Sequence, residues 1–81
     1  MAESESVLLE RFAGGDAEAF AQIVGRYAGL VYGTCLRVLA DADRAADATQ
    51  ETFFHLTKNA PRIRGSVGAW LHRVAVRQAV D

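Results

Sequence analysis

The chain has 81 residues, of which 51% are hydrophobic, and a formal net charge of −1. This length indicates one small domain, and the apolar content is too high for a disordered chain. No run of about eighteen apolar residues is present, so no membrane span is expected, and the acidic N-terminus is not a signal peptide. The single cysteine, Cys35, excludes an internal disulfide and a paired-cysteine metal site. We therefore expect one cytoplasmic domain that spans residues 1–81.

The charged residues are divided unevenly along the chain. Residues 1–51 contain nine acidic and four basic residues, a net charge of −5, whereas residues 52–81 contain one acidic and five basic residues, a net charge of +4. This division indicates two surfaces with different partners, and the basic surface suits nucleic acid. The alternative is a chance imbalance in a short chain.

Helical spacing of apolar residues predicts four helices, and no segment alternates with the period of two that a strand requires. The first helix is expected from about Ser6 to Ala13, where Gly14 and Gly15 end it. Asp16 is the expected N-cap of a second helix of about two dozen residues. The apolar stripe of that helix is predicted to contain Phe20, Ile23, Val24, Tyr27, Leu30, Val31, Cys35, Val38 and Leu39.

A row of glycines interrupts the second predicted helix. Gly25, Gly29 and Gly33 lie four residues apart, and each costs about 1 kcal/mol relative to alanine inside a helix. We expect this row to allow another helix to approach closely. It does not indicate a membrane helix, because charged residues interrupt the segment.

The third helix is predicted to begin near Asp41 or Asp43 and to end at Asn59–Ala60, because Pro61 prevents its continuation. A basic loop, residues 61–68, is expected to follow. Ser66 is the expected N-cap of a fourth helix. That helix places Trp70, Leu71, Val74 and Ala75 on one face and is still helical in pattern at the last residue, which indicates a truncated chain.

The third helix has two predicted stripes. The stripe suited to a core consists of Ala45, Ala46, Thr49, Phe53, Leu56 and Thr57. The second stripe consists of Asp43, Asp47, Gln50, Phe54 and Lys58. A phenylalanine among exposed polar residues is typical of a partner surface. The alternative is that Phe54 folds back over the edge of the core.

Three segments together resemble the extracytoplasmic-function (ECF) members of the sigma-70 family. The Asp-x-x-Gln-Glu-x-Phe motif lies at residues 47–53. Upstream, Leu8–Leu9 and the segment 15–20 resemble the opening of the family, in which a short helix leads into a long one. Downstream, Gly68-Ala69-Trp70-Leu71 resembles its Trp-Leu helix. The resemblance covers nearly the whole chain.

This resemblance implies an all-α bundle of about four helices, which is region 2 of a sigma factor, without the region 4 domain. It implies docking on the β′ clamp helices of RNA polymerase, and the motif positions that carry over are Asp47, Gln50, Glu51 and Phe54. It also implies binding of the unpaired promoter −10 strand. The expected DNA-binding residues are Arg62, Arg64, His72, Arg73 and Arg77. An anti-sigma factor is an additional candidate partner.

The sequence departs from the family at two positions. Ala46 replaces a usual glutamate, and Arg77 replaces a frequent asparagine associated with −10 recognition. A basic run and a second, helix-turn-helix domain do not follow the fourth helix. The alternative function is therefore a protein-interaction module that binds polymerase or an anti-sigma factor without a DNA role. A helix-turn-helix domain for double-stranded DNA fits less well, because the fourth helix turns its apolar face inward.

An enzyme is not expected. His55 and His72 lie on different predicted helices, and no phosphate-binding or zinc-binding motif is present. Cys35 lies on the apolar face of the second helix, which favours a core role over a nucleophilic one. Trp70 is either a core residue or a stacking platform for a base, and its apolar face favours the core. No cofactor, metal or membrane partner is expected.

Overall fold

Four α-helices form a bundle in this protein, as seen in a computed structural model that describes residues 4–80. The helices are α1 (Glu5–Ala13), α2 (Ala17–Leu39), α3 (Ala42–Asn59) and α4 (Val67–Val80), and a 3₁₀ turn at Ala60–Arg62 precedes α4. No strand occurs within residues 4–80. The predicted all-α bundle is confirmed. The helical pattern predicted to continue to Asp81 cannot be compared at that residue, which lies outside the described residues.

Side-chain caps fix where each helix begins. The oxygens of Ser4, Asp16 and Asp41 accept hydrogen bonds from the first backbone N–H groups of α1, α2 and α3. The hydroxyl of Ser66 does the same for α4, at 3.2 Å. Since these N–H groups have no partner within the helix, each cap satisfies a donor that would otherwise be lost. The predicted caps Asp16 and Ser66 are confirmed, and Asp41, not Asp43, begins α3.

The turn between α1 and α2 is held by an ion pair. Arg11 Nη2 lies 2.7 Å from Asp16 Oδ2, and Arg11 Nε donates to the same oxygen at 2.8 Å. Gly15, with a φ of 103°, allows the chain to reverse here. The Arg11 guanidinium, with the backbone N–H of Ala19, holds the pKa of the Asp16 carboxyl below its ordinary value. Burial acts in the opposite direction and is outweighed.

All four helices contribute to one core, and α2 packs against each of the other three. The largest side chains that are fully removed from solvent are Leu8, Ile23, Val31, Leu56, Val67 and Leu71. Cys35 is also fully buried, and its thiol lies 3.9 Å from the carbonyl oxygen of Ala75. Burial raises the pKa of this thiol, and a hydrogen bond from Thr49 opposes the shift. Cys35 is therefore a core residue, as predicted. No described helix meets the length and apolarity that a bilayer span requires.

The buried face of α3 differs from the predicted stripe. Ala46 and Thr57 are exposed, whereas Ala48 and Thr52 are buried. Thr52 tolerates burial because its hydroxyl donates to the carbonyl oxygen of Ala48 at 2.8 Å, so no polar group is left without a partner. The core face of α3 is therefore rotated toward Ala48 relative to the prediction.

The buried face of α2 also contains fewer residues than the predicted apolar stripe. Leu30 and Val38 are 48% and 47% exposed, so they do not belong to the core. The prediction for the glycine row is wrong. A Cβ placed on Gly25 or Gly29 meets no atom within 4 Å, and one on Gly33 meets only the Arg37 side chain. No helix of the described chain packs on this row.

The close helix approach occurs instead at Gly68, at the start of α4. A Cβ at this position would lie 3.0 Å from Cε1 of Tyr27 on α2. The Tyr27 hydroxyl donates a hydrogen bond to the Glu5 carboxylate on α1. Tyr27 therefore connects α1, α2 and α4, and the missing side chain of Gly68 provides the space for its ring.

Candidate functional site

The outer side of α3 presents three residues of the Asp-x-x-Gln-Glu-x-Phe motif together with Phe54, which directly follows the motif. Asp47, Gln50, Glu51 and Phe54 are spaced three or four residues apart, so they lie on one helix face. All four are exposed, and together they line one open depression. We call these four residues the α3 face. The structure therefore brings together every residue predicted to bind polymerase.

Phe54 is the apolar member of the α3 face. It is 51% exposed, so it does not fold back over the core edge. The Lys58 ammonium lies 4.4 Å from the centroid of the Phe54 ring, within the range of a cation–π contact. Such a contact contributes roughly 0.5–1 kcal/mol at an exposed site. The ring is thus held at the surface by a neighbour one turn away.

An apolar groove adjoins the α3 face on the side of α2. Its walls are Phe20, Val24 and Ala28 of α2, and Thr49, Gln50, Phe53, Phe54 and Thr57 of α3. Two residues of this list, Gln50 and Phe54, belong to the α3 face as well. The polar depression and the apolar groove are therefore two parts of one continuous surface.

The five predicted DNA-binding residues are all exposed. Arg62 and Arg64 lie on either side of Ile63, which is 7% exposed and packs into the core. His72, Arg73 and Arg77 follow on α4. The loop and helix thus present the basic side chains to solvent while an apolar residue fixes the loop to the bundle.

These basic residues do not share one cavity. Arg64 lines a depression between the loop and α1, together with Leu9 and Glu10. Arg77 lines a different cleft, between α3 and α4. The two depressions have no lining residue in common, so a ligand that contacts both Arg64 and Arg77 must reach from the loop to α4.

The cleft between α3 and α4 brings Arg77, a predicted DNA-binding residue, and Trp70 together with residues for which the sequence predicted no site. Its walls are His55 and Asn59 of α3, and Trp70, Val74, Arg77 and Gln78 of α4. We call it the α3–α4 cleft. Trp70 packs against the core and is half-buried, so it also lines this cleft. The four-residue spacing of His55 and Asn59 was a signal that both lie on one side of α3.

The sequence of this chain matches a known protein family. The sigma-70 region 2 family matches residues 23–81, which is most of the chain. The chain belongs to this family. Its relatives include the ECF RNA polymerase sigma factor SigK of Mycobacterium tuberculosis (strain H37Rv), 40% identical over 77 residues, which cover 91% of this chain and 41% of the relative. SigW of Bacillus subtilis, also an ECF sigma factor, is 35% identical over 69 residues, or 83% of this chain and 37% of the relative. The ECF resemblance is confirmed.

A solved structure has the same region 2 fold. It is the NMR structure of an engineered region 2 of sigmaE in complex with GTAAAA, with a TM-score of 0.87 and 31% identity. The alignment covers 99% of this chain and 87% of that chain. By contrast, this region 2 domain spans about two-fifths of the length of the curated relatives it matches.

Proposed function

We propose that this region 2 domain acts in transcription initiation, by docking on RNA polymerase and binding the unpaired −10 strand of a promoter. The observation that carries the proposal is the α3 face, where Asp47, Gln50, Glu51 and Phe54 are exposed together in one depression. A cluster of polar groups around an aromatic anchor is typical of protein interfaces. The partner at this face is the pair of β′ clamp helices.

The basic loop and α4 supply the DNA-binding half of the proposal. Unpairing a duplex costs a few kcal/mol for each base removed from the stack. Binding of the separated strand offsets this cost, because arginines neutralise its phosphates and clefts hold its bases. The exposed Arg62, Arg64, Arg73 and Arg77 provide the charges. The similar solved domain is in complex with GTAAAA, which makes that sequence a suitable probe.

Fluorescence anisotropy with labelled single-stranded GTAAAA tests the DNA-binding half. We expect binding that weakens steeply between about 50 and 200 mM salt, because counterions are released from the strand. Arg64→Glu and Arg73→Glu are each expected to abolish most of the affinity. Arg44→Glu is the matched control: it makes the same charge change at the start of α3, outside the basic segment.

Capture of a β′ clamp-helix fragment tests the polymerase-binding half. Gln50→Ala combined with Phe54→Ala is expected to abolish capture, whereas Gln22→Ala on the exposed side of α2 leaves it intact. Unchanged capture by the double variant would show that the α3 face is not the docking surface. Capture of the fragment without any oligonucleotide binding would favour the alternative, a protein-interaction module without a DNA role.

A further inference from the structure

The basic loop shares one depression, of about 410 Å³, with the outer side of α1. One wall is formed by Ser6, Leu9, Glu10 and Ala13 of α1, and the other wall belongs to the segment 60–65. The two charged residues of the depression face it from opposite walls, Glu10 from α1 and Arg64 from the loop. A carboxylate therefore borders the place where the proposed function puts a phosphate of the strand.

The guanidinium of Arg64 is available to a phosphate. Arg64 is exposed, and its one hydrogen bond to a residue from 4 to 80 is donated by Nη1 to the carbonyl oxygen of Pro61, at 3.5 Å. A hydrogen bond of this length is weak. No ion pair joins Arg64 to Glu10 or to another carboxylate in this range. The two opposite charges of the depression thus remain separate.

The packing of the bundle does not explain the carboxylate of Glu10. It is exposed and forms no hydrogen bond or ion pair with a residue between 4 and 80. The residues three and four positions away on either side are uncharged, so no ion pair along the helix supports it. Glu10 also lies in the last turn of α1, where the helix dipole disfavours a negative charge. Its charge therefore acts on what enters the depression.

We propose that Glu10 is an anion-repelling residue that weakens the sequence-independent binding of nucleic acid to the basic loop. A phosphate bound by Arg64 lies in the same depression as the Glu10 carboxylate. Like charges closer than a Debye length of about 10 Å repel each other even in water. Since sequence-independent binding depends almost entirely on phosphates, Glu10 lowers this part of the affinity, and contacts to bases account for a larger share of the remainder. The inference rests on the proposed function, because it concerns the same DNA surface.

A series of charges at position 10 tests the proposal, with labelled single-stranded oligothymidine as the sequence-independent probe. At about 50 mM salt, Glu10→Gln is expected to raise the affinity about threefold, which corresponds to two like unit charges about 7 Å apart in water. Glu10→Lys changes the charge by twice as much and is expected to raise the affinity about tenfold. Both gains should shrink at about 200 mM salt, because the charges are screened.

Asp43→Asn is the matched control, because it removes one negative charge elsewhere. Asp43 lies in the first turn of α3, about 24 Å along the helix from Asn59, where the loop begins. This distance exceeds the Debye length, so the affinity for oligothymidine is expected to stay unchanged. A gain equal to that of Glu10→Gln would show an effect of net charge and would overturn the local repulsion.

Arg64→Gln tests whether the repelled phosphate is the one bound by Arg64. Without the guanidinium no phosphate is held beside Glu10, so adding Glu10→Gln to this variant should raise its affinity less than about twofold. Thermal denaturation provides a readout of the fold. Because the Glu10 carboxylate has no partner among the described residues, Glu10→Gln should leave the melting temperature unchanged. A lower melting temperature with unaltered affinity would show a structural role and overturn the proposal.

The outcomes separate Glu10 from the proposed function. If the unchanged chain binds GTAAAA and no change at position 10 raises the affinity for oligothymidine, the proposed function is retained and the Glu10 proposal is overturned. A fall in affinity caused by Glu10→Gln overturns it as well, since the carboxylate would then accept a hydrogen bond from the strand. If neither the unchanged chain nor Glu10→Lys binds either strand, both proposals are overturned.

Discussion

Tyr27 connects three helices through one side chain. Its hydroxyl is hydrogen-bonded to Glu5, and its ring fills the space beside the Gly68 backbone. Because the hydrogen bond fixes the ring, Tyr27 has little freedom to move away from a larger residue at position 68. This glycine is therefore required for packing, although glycine is a weak helix former.

Gly68→Ala is expected to destabilise the domain by roughly 1–2 kcal/mol, since the cost of overpacking exceeds the gain in helix propensity. Urea denaturation measures this change. In a Tyr27→Leu background the ring is absent, so the same substitution should no longer be destabilising. An equal loss in both backgrounds would show that contact with the ring is not the cause.

The ion pair of Arg11 with Asp16 predicts a pH dependence of stability. The pKa of Asp16 is lowered below its ordinary value of 3.8, mainly by the hydrogen bond from Arg11. Folding therefore favours the ionised carboxylate. This stabilisation is fully present above the unfolded-state pKa and is lost as the pH falls through the lower, folded-state pKa.

Asp16→Asn keeps a capping oxygen and removes the charge, so it isolates this effect. The variant is expected to have a lower melting temperature than the unchanged chain at neutral pH. The difference should disappear in acid, well below pH 3.8, where Asp16 is protonated in both folded and unfolded chains. A difference that stays constant across the titration would contradict the assignment.

At the scale of the helices, α2 combines a buried face with an exposed glycine row. Gly25 and Gly29 face solvent, and a methyl group at either position would meet no neighbour within 4 Å. These glycines therefore reduce the stability of α2 with no packing benefit inside the described domain.

Gly25→Ala and Gly29→Ala are each expected to stabilise the chain by about 0.5–1 kcal/mol, because alanine restricts the unfolded chain and favours the helix. The measurement is thermal or urea denaturation followed by circular dichroism. Gly15→Ala is the contrasting control. Its φ of 103° is strained for alanine, so that variant should be destabilised. Destabilisation by the two α2 substitutions would contradict the exposed position of the row.

The boundaries of the helices were predictable because they depend on local chemistry. Asp16, Ser66 and Pro61 act on the backbone within a few residues, so their effect is visible in the sequence. The buried side of α3 depends instead on neighbouring helices. Ala46 and Ala48 have the same side chain, and only the position of α2 and α4 distinguishes the exposed one from the buried one.

Among the candidate sites, only the one whose residues lie on a single helix could be predicted from the sequence. The α3 face lies within one helix, so spacing placed Asp47, Gln50 and Phe54 on one stripe, and the family motif added Glu51. The α3–α4 cleft joins residues of two helices that are eleven or more positions apart in sequence, such as Asn59 and Trp70. Their proximity depends on how two helices pack, and no local pattern specifies that distance.

At the scale of the whole molecule, one core is shared by all four helices. The chain extends 35 × 25 × 19 Å, and no helix has a separate set of buried residues. A partly folded form of a domain of this size has little stability, because each helix buries its apolar face only against the other helices. The domain should therefore unfold as a unit.

Urea denaturation followed by Trp70 fluorescence and by far-UV circular dichroism should give coincident transitions, because tertiary packing and helix content are lost together. Leu56→Ala, at a fully buried position, is expected to reduce stability by about 2–5 kcal/mol and to shift both transitions equally. Separate midpoints for the two signals would show that part of the bundle unfolds independently.

The buried position of Ile63 has a consequence for how quickly the basic loop binds the DNA strand that we propose as its ligand. The side chain is held in the core, with Arg62 and Arg64 on either side of it in solvent. The conformational entropy of this stretch of backbone is therefore lost during folding and not at the moment of contact with a strand. The two guanidinium groups are displayed in advance, so the encounter resembles docking on a rigid surface more than the ordering of a flexible arm.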